Sequence, residues 1–217
     1  MRLVLVTGAN RGLGASIVET LLDNNFKVFG VGRTVTDFIK QTKKSYPDSF
    51  FFQEFDLSET GKIHLLIKGI IKEHGHIYGL INNAALGHDG VLSTMHESQI
   101  SDLLKVNIQA PILLTKYASR SMLLKRTGRV INIGSIMGAT GFSGLSVYGA
   151  TKASLGGFTK SLSRELGKVH ITVNTVAPGY MATEMTAGLV DNKLASIVRR
   201  SPLGRLAQVA DVADMVN

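Results

Sequence analysis

The feature that most constrains this chain is an alternation of short β-type runs with longer amphipathic stretches, sustained along nearly its whole length. Residues 3–7 read as a strand, and 15–24 follows with Ile17, Val18, Leu21 and Leu22 at helical spacing. Further strands are expected at 28–32, 50–56, 80–82, 130–133 and 171–177, with amphipathic segments at 58–74, 100–126 and 147–168. In the last of these, Leu155, Phe158, Leu162 and Leu166 fall on one stripe, with Lys160 and Arg164 away from it. Strand and helix in continuous alternation require crossover connections, which make a parallel sheet covered on both faces. The expected architecture is a doubly wound α/β sheet in one domain spanning 1–217, because no repeat or linker divides the chain. Ligands of such sheets bind beyond the carboxyl ends of the strands, at the switch point in strand order, so the residues following each strand are where chemistry is sought.

Composition narrows the chemistry. Of 217 residues, 44% are apolar and 18% charged, the balance of a globular domain able to bury a core. The absence of cysteine excludes disulfide scaffolds, thiolate zinc sites and cysteine nucleophiles, and no metal site is expected. The first apolar run, 3–6, is too short for a secretory signal, and no run approaches the ~20 apolar residues of a membrane-spanning helix, so a cytoplasmic protein without membrane attachment is expected. The net charge of +8 suits an acidic partner. Lys/Arg blocks never exceed two residues, which argues against nucleic acid.

Thr7-Gly8-Ala9-Asn10-Arg11-Gly12-Leu13-Gly14 lies between the first strand and its helix, with glycines spaced GxxxGxG. Glycines permit a tight turn and the close approach of backbone to a pyrophosphate at a helix N-terminus. A dinucleotide site also needs a group at the end of the second strand, roughly 20 residues on, to read the adenosine ribose. The residue there is Arg33. A guanidinium pairs with a 2′-phosphate, whereas a carboxylate would bond the 2′-hydroxyl, so NADP(H) is expected in preference to NAD(H), with Arg11 a second positive charge.

The fifth strand ends Ile131-Asn132-Ile133-Gly134-Ser135, which puts a serine hydroxyl at the carboxyl edge. Tyr148 and Lys152 are four residues apart and share a helix face. An ordinary tyrosine, with a pKa of about 10, exchanges protons poorly at neutral pH. A lysine charge at ~4 Å in an effective dielectric near 20 contributes on the order of 4 kcal/mol toward the phenolate, or about three pKa units. Asn107 is a polar residue inside an otherwise apolar helical stretch, where a satisfied helix asparagine is the plain alternative. Ser135 lacks the GxSxG elbow of a Ser–His–acid hydrolase.

Together these residues resemble the short-chain dehydrogenase/reductase family, from Leu3 to about Val216. The resemblance rests on the glycine loop, Asn82-Asn83-Ala84-Ala85, Asn107, Ser135, Tyr148 with Lys152, and Pro178-Gly179-Tyr180-Met181-Ala182-Thr183. It implies a Rossmann-like fold. It also implies Tyr148 as general acid–base, Lys152 lowering its pKa and bonding the nicotinamide ribose, Ser135 orienting the substrate oxygen and Asn107 anchoring a relay water. Cofactor contacts are implied at Gly8, Asn10, Arg11, Gly12, Leu13, Gly14 and Arg33. Asp56 and Leu57 would flank the adenine, Asn83 and Ala84 would line the ribose side, and Pro178, Gly179, Met181 and Thr183 would hold the carboxamide and diphosphate.

Within the family the chain is most similar to 3-oxoacyl-[acyl-carrier-protein] reductases, through 122–131, 176–185 and 202–206. That similarity implies reduction of a carrier-bound 3-oxoacyl thioester by a homo-oligomer, dimer or tetramer. An acidic carrier protein would dock on Lys125, Arg126 and Arg129 beside the active-site entrance. The other readings are a carbonyl reductase acting on another ketone, quinone or alcohol, and a non-enzymatic NADP(H)-binding sensor, since fold does not imply function. Two departures stand out. Ala85 replaces the family's glycine, expected to narrow the space near the cofactor, and the chain stops at Asn217, before the family's last strand.

Overall fold

The computed structural model describes residues 1–181 and 191–216, except for the side chains of 191–194. Six parallel strands, β1 (Leu3–Thr7), β2 (Lys27–Gly32), β3 (Phe50–Glu54), β4 (Ile77–Asn82), β5 (Gly128–Ile133) and β6 (Ile171–Val176), form one sheet in the order β3-β2-β1-β4-β5-β6. The chain winds outward from β1 to β3, then returns to the other side of β1 and winds outward again. The switch point therefore lies between β1 and β4, and the doubly wound Rossmann-like fold expected from the sequence is present.

Alternation along β1 explains the two layers. Leu3 and Leu5 point into one core with Ile67, Leu80, Leu114 and Val130, while Val4 and Val6 point into the other with Ile17, Val18, Leu21 and Ile133. Helix α1 (Gly12–Asp23) buries its expected stripe of Ile17, Val18, Leu21 and Leu22 on the second face. Each such fully buried aliphatic side chain contributes about 1.5–3 kcal/mol.

Three expectations change. Helix α2 (Asp37–Ser45) forms where no element was expected: Thr36 caps it by accepting from Ile39 N, Asp37 sits in its first turn and Lys43 and Lys44 in its last. The expected stretch 58–74 begins as a short 3₁₀ turn (Thr60–Lys62) before α3 (Ile63–His74). The long stretch 100–126 is α4 (Glu97–Leu104), a wider π turn (Lys105–Gln109) and α5 (Ala110–Lys125). Pro111 explains the break, since it has no N–H to give to the carbonyl of Asn107 four residues back. The short α6 (Met137–Thr140) and the long α7 (Ser146–Leu166) follow β5, and α8 (Asp191–Arg200) and α9 (Val209–Val216) follow β6. Among the described residues no helix is long and apolar enough to cross a membrane, and no cluster of metal-ligating side chains occurs.

The sheet also corrects the proposed docking residues. Lys125 ends α5, Arg126 follows it and Arg129 is the second residue of β5, so all three lie at the amino edge of the sheet. Ser135 follows the other end of the same strand, roughly 20 Å away at 3.3 Å per residue. Within one chain these cations do not flank the entrance.

Candidate active site

The carboxyl ends of β1 and β4 are stitched together by side chains. Thr7 Oγ1 donates to Ile81 O (3.2 Å) and accepts from Asn83 N and Ala84 N (3.0 Å each). Asn83 Nδ2 donates to the carbonyls of Thr7 (2.9 Å) and Gly8 (3.3 Å). Ala84 forms the floor beneath Gly8, where a Cβ would come within 3.0 Å of the Ala84 Cα. Gly8 and Gly12 hold positive φ angles of 65° and 54°, and a side chain at Gly14 would run into the Gly8 carbonyl. A Cβ at Gly12 would meet nothing within 4 Å, so the loop backbone faces open space there. Arg11, at the N-cap of α1, is extended and makes no side-chain cap, which leaves the first N–H groups of that helix to a ligand. Asn10 ties this loop to the one after β2: its Nδ2 donates to Thr34 O and Oγ1 (3.1 Å each), and its carbonyl accepts from Thr36 Oγ1 (2.8 Å).

Arg33 and Arg11 are exposed at this rim. Asp56 lies close enough that the Arg33 charge helps to hold its carboxyl below the usual range, behind the larger effect of the hydrogen bond from Ser58 N. Leu13 is buried in the core of α1. Leu57 is buried too, in the core beneath β3, so its side chain does not flank an adenine; only its backbone is left for that role. Ala85 carries no positive φ, so the backbone accepts alanine without strain.

Across the switch point stand the four expected catalytic residues. The π turn carries Asn107 into the interior, 1% exposed. Its amide clamps Leu86, accepting from Leu86 N (2.8 Å) and donating to Leu86 O (2.9 Å), and its second donor goes to Thr151 Oγ1 (3.1 Å) on α7. Both amide hydrogens are thereby spent. Ser135 Oγ accepts from Met137 N (3.2 Å) and bonds the Tyr148 hydroxyl, which opposes the upward push on that phenol.

Burial pushes the Tyr148 pKa up, and the carboxylate of Asp89 adds to the rise. The lowering by Lys152 expected from spacing is not seen. The ammonium lies 5.8 Å from the Tyr148 ring centroid and donates to Ile133 O (2.8 Å). Burial lowers the Lys152 pKa itself to about 8, because a charged amine is disfavoured away from water.

Pro178 is buried and its carbonyl accepts from Ile136 N (3.0 Å), which docks the segment after β6 against Ser135's loop. Gly179 is exposed, and Met181 bridges in parallel to Ala207. Thr183 lies outside the described residues. The mouth is completed by Asp89 and Phe142, which sequence reasoning missed, beside Tyr180 of the expected 178–183 segment. Asp89 acts on both Tyr148 and Tyr180, Tyr180 meets Phe142 edge-on at 6.0 Å, and Gly90 N donates to Gly144 O (2.9 Å). Nothing local marks Asp89 or Phe142, whereas Thr7 and Thr151 are polar residues at the end of an apolar run and on the Tyr148 helix.

Comparison with known proteins decides the family. The short chain dehydrogenase model matches residues 2–194. The chain belongs to the short chain dehydrogenase family. It is 35% identical over 221 residues to the 3-oxoacyl-[acyl-carrier-protein] reductase FabG of Salmonella typhimurium, covering 99% of this chain and 88% of that one. Against FabG of Haemophilus influenzae it is 37% identical over 216 residues, with the same shares covered. Among solved structures, ElxO with NADP bound superimposes with a TM-score of 0.89 at 28% identity, covering 99% of this chain and 89% of that one.

Proposed function

We propose that this short chain dehydrogenase reduces a 3-oxoacyl thioester, presented by an acyl carrier protein, to the 3-hydroxyacyl form with NADPH. The observation that carries this reading is the convergence of Ser135, Tyr148 and Lys152 at the carboxyl edge, facing the glycine loop across the switch point. The relatives named 3-oxoacyl-[acyl-carrier-protein] reductase and the NADP-bound neighbour support it.

The residues fit a dinucleotide. The open backbone at Gly12 and the uncapped N-terminus of α1 suit a pyrophosphate, and Arg33 with Arg11 suits a 2′-phosphate. When bound, NADPH supplies the hydride equivalent to the carbonyl carbon. Ser135 Oγ holds the carbonyl oxygen beside the Tyr148 hydroxyl, and Tyr148 delivers the proton to that oxygen as negative charge develops there. A phenol pushed up by burial is protonated at neutral pH and so is poised as an acid, which fits reduction. Lys152, fixed on the Ile133 carbonyl, supplies positive charge behind the phenol as it loses its proton. Asn107 clamps Leu86 through its side chain, and its carbonyl, denied an α-helical donor by Pro111, is the atom we assign to the relay water.

The test is NADPH oxidation with acetoacetyl thioester. Turnover by the wild type, its loss in Tyr148→Phe and a shift of preference away from NADPH in Arg33→Asp are expected. Preference for free ketones or quinones over thioesters would replace the substrate, and NADPH binding without turnover of any carbonyl would replace the enzymatic reading. A homo-oligomer belongs to the same proposal, and light scattering at assay concentration tests it.

A further inference from the structure

We propose that the cleft at the amino edge of the sheet, opposite the active site, is a second ligand site that takes a small phosphate-class anion. The cleft encloses about 500 Å³ and is lined by Met1, Arg2, Leu3, Lys27, His74, His76, Tyr78 and Thr127, with no carboxylate among them. It is built where β1, β2 and β4 begin and just before β5, so its lining converges from four neighbouring strand starts.

These cations are held by aromatic faces. The Arg2 guanidinium lies 4.5 Å from the Tyr78 ring centroid and donates to the Tyr78 hydroxyl (3.2 Å), and Arg129 approaches the same ring at 5.8 Å. The Lys27 ammonium lies 4.8 Å from the Phe51 ring centroid. An aromatic face orients a cation and leaves its charge unneutralised. Among the described residues, none of Arg2, Lys27, Lys125 or Arg129 forms an ion pair with a carboxylate.

The two histidines complete the set. Besides burial, Lys27 bears on His74 and Lys125 on His76, each disfavouring a further positive charge. The one carboxylate facing them is Glu73, 3.9 Å from His74 Nε2 and 73% exposed. His76 Nδ1 shares a hydrogen bond with Ser121 Oγ (2.9 Å), and its Nε2 is buried without a partner. Arg2 and Lys27 thus face the cleft without a carboxylate partner, and the one carboxylate near the histidines is the exposed Glu73, a balance that suits an anion. Phosphate supplies the compact multiple charge and the acceptors that guanidinium and ammonium donors recognise. The five residues of β1 put roughly 17 Å between this cleft and the glycine loop, so binding here is separable from cofactor binding.

The experiment is calorimetric titration of the full chain with inorganic pyrophosphate at fixed ionic strength and pH 6.5, with NADPH saturating. Binding is expected, weakened at least tenfold in Arg2→Gln and in Lys27→Gln, while the Kd for NADPH stays within twofold and so certifies folding. The histidine proton resonances of His74 and His76 should report higher pKa values with pyrophosphate bound. Pyrophosphate binding that NADPH abolishes, or that both variants leave unchanged, would overturn the proposal. Co-sedimentation with phosphatidylglycerol vesicles in the absence of pyrophosphate binding would move the partner from a free anion to a lipid headgroup and would equally overturn the proposal.

Discussion

Lys152 is the residue with the most to say about pH. In the unfolded chain its amine titrates near the ordinary value of 10.5, and in the folded protein near 8. Below pH 8 both states carry the charge, and the fold bears the cost of burying it. Between 8 and about 10 the unfolded state binds more protons than the folded one, so stability rises with pH, by roughly 3 kcal/mol at most. Urea unfolding at pH 7, 8, 9 and 10 should show that rise in the wild type and a flat profile in Lys152→Met. A wild-type profile that is also flat would show the amine to be less desolvated than its 5% exposure implies. In the proposed mechanism Tyr148 acts through its proton, and Tyr148→Phe is expected to lower kcat by about 10²–10⁴-fold with NADPH affinity nearly unchanged. Spacing alone revealed that Tyr148 and Lys152 share a helix face. It could not reveal that the ammonium is buried and turned to the Ile133 carbonyl, because that depends on where β5 ends.

At the scale of elements, the π turn and the glycine loop carry the site. Asn107→Ala removes three hydrogen bonds at once and leaves the half-buried Leu86 N and O without those partners, so a loss of about 1–3 kcal/mol is expected, with faster hydrogen exchange at Leu86. Retention of full stability would show the clamp to be replaceable by solvent. Gly14→Ala forces α1 away from the Gly8 carbonyl, and NADPH affinity should fall more than tenfold even where the protein still folds. Most elements were readable from periodicity, because the strands are apolar and the longer helices each bury one stripe. Several were not, α6 and α8 among them. Helix α2 spans only nine residues, and its signal is the Thr36 cap with Asp37, not an apolar stripe. The break at 105–109 falls inside an unbroken apolar pattern, and only Pro111, four residues past Asn107, betrays it.

For the molecule as a whole, the proposed active site and the proposed anion cleft lie at opposite edges of the sheet, and a ligand at either would stabilise the entire chain. NADPH at a hundred times its Kd should add about 2.7 kcal/mol and raise Tm by roughly 5–10 °C, with NADH at the same concentration giving less, as read by differential scanning calorimetry. The winding order was legible in outline, since alternation implies a switch point. The assignment of Lys125, Arg126 and Arg129 to the entrance does not hold within one chain, because residues that precede or open β5 lie at its amino end and the site lies beyond its carboxyl end.

One row of the sheet keeps all of this in register. Asn82, Asn132 and Thr175 are direct partners across β4, β5 and β6, and their side chains join Thr115 and Thr159 from α5 and α7 in a buried hydrogen-bonded line. A slip of one residue in any of these strands would turn its polar member to the opposite face and strand the others in apolar surroundings. The row works as a key that fits one alignment, and the carbonyl holding Lys152 sits one residue beyond it. The placement of the Lys152 amine is therefore set by the register of the strands.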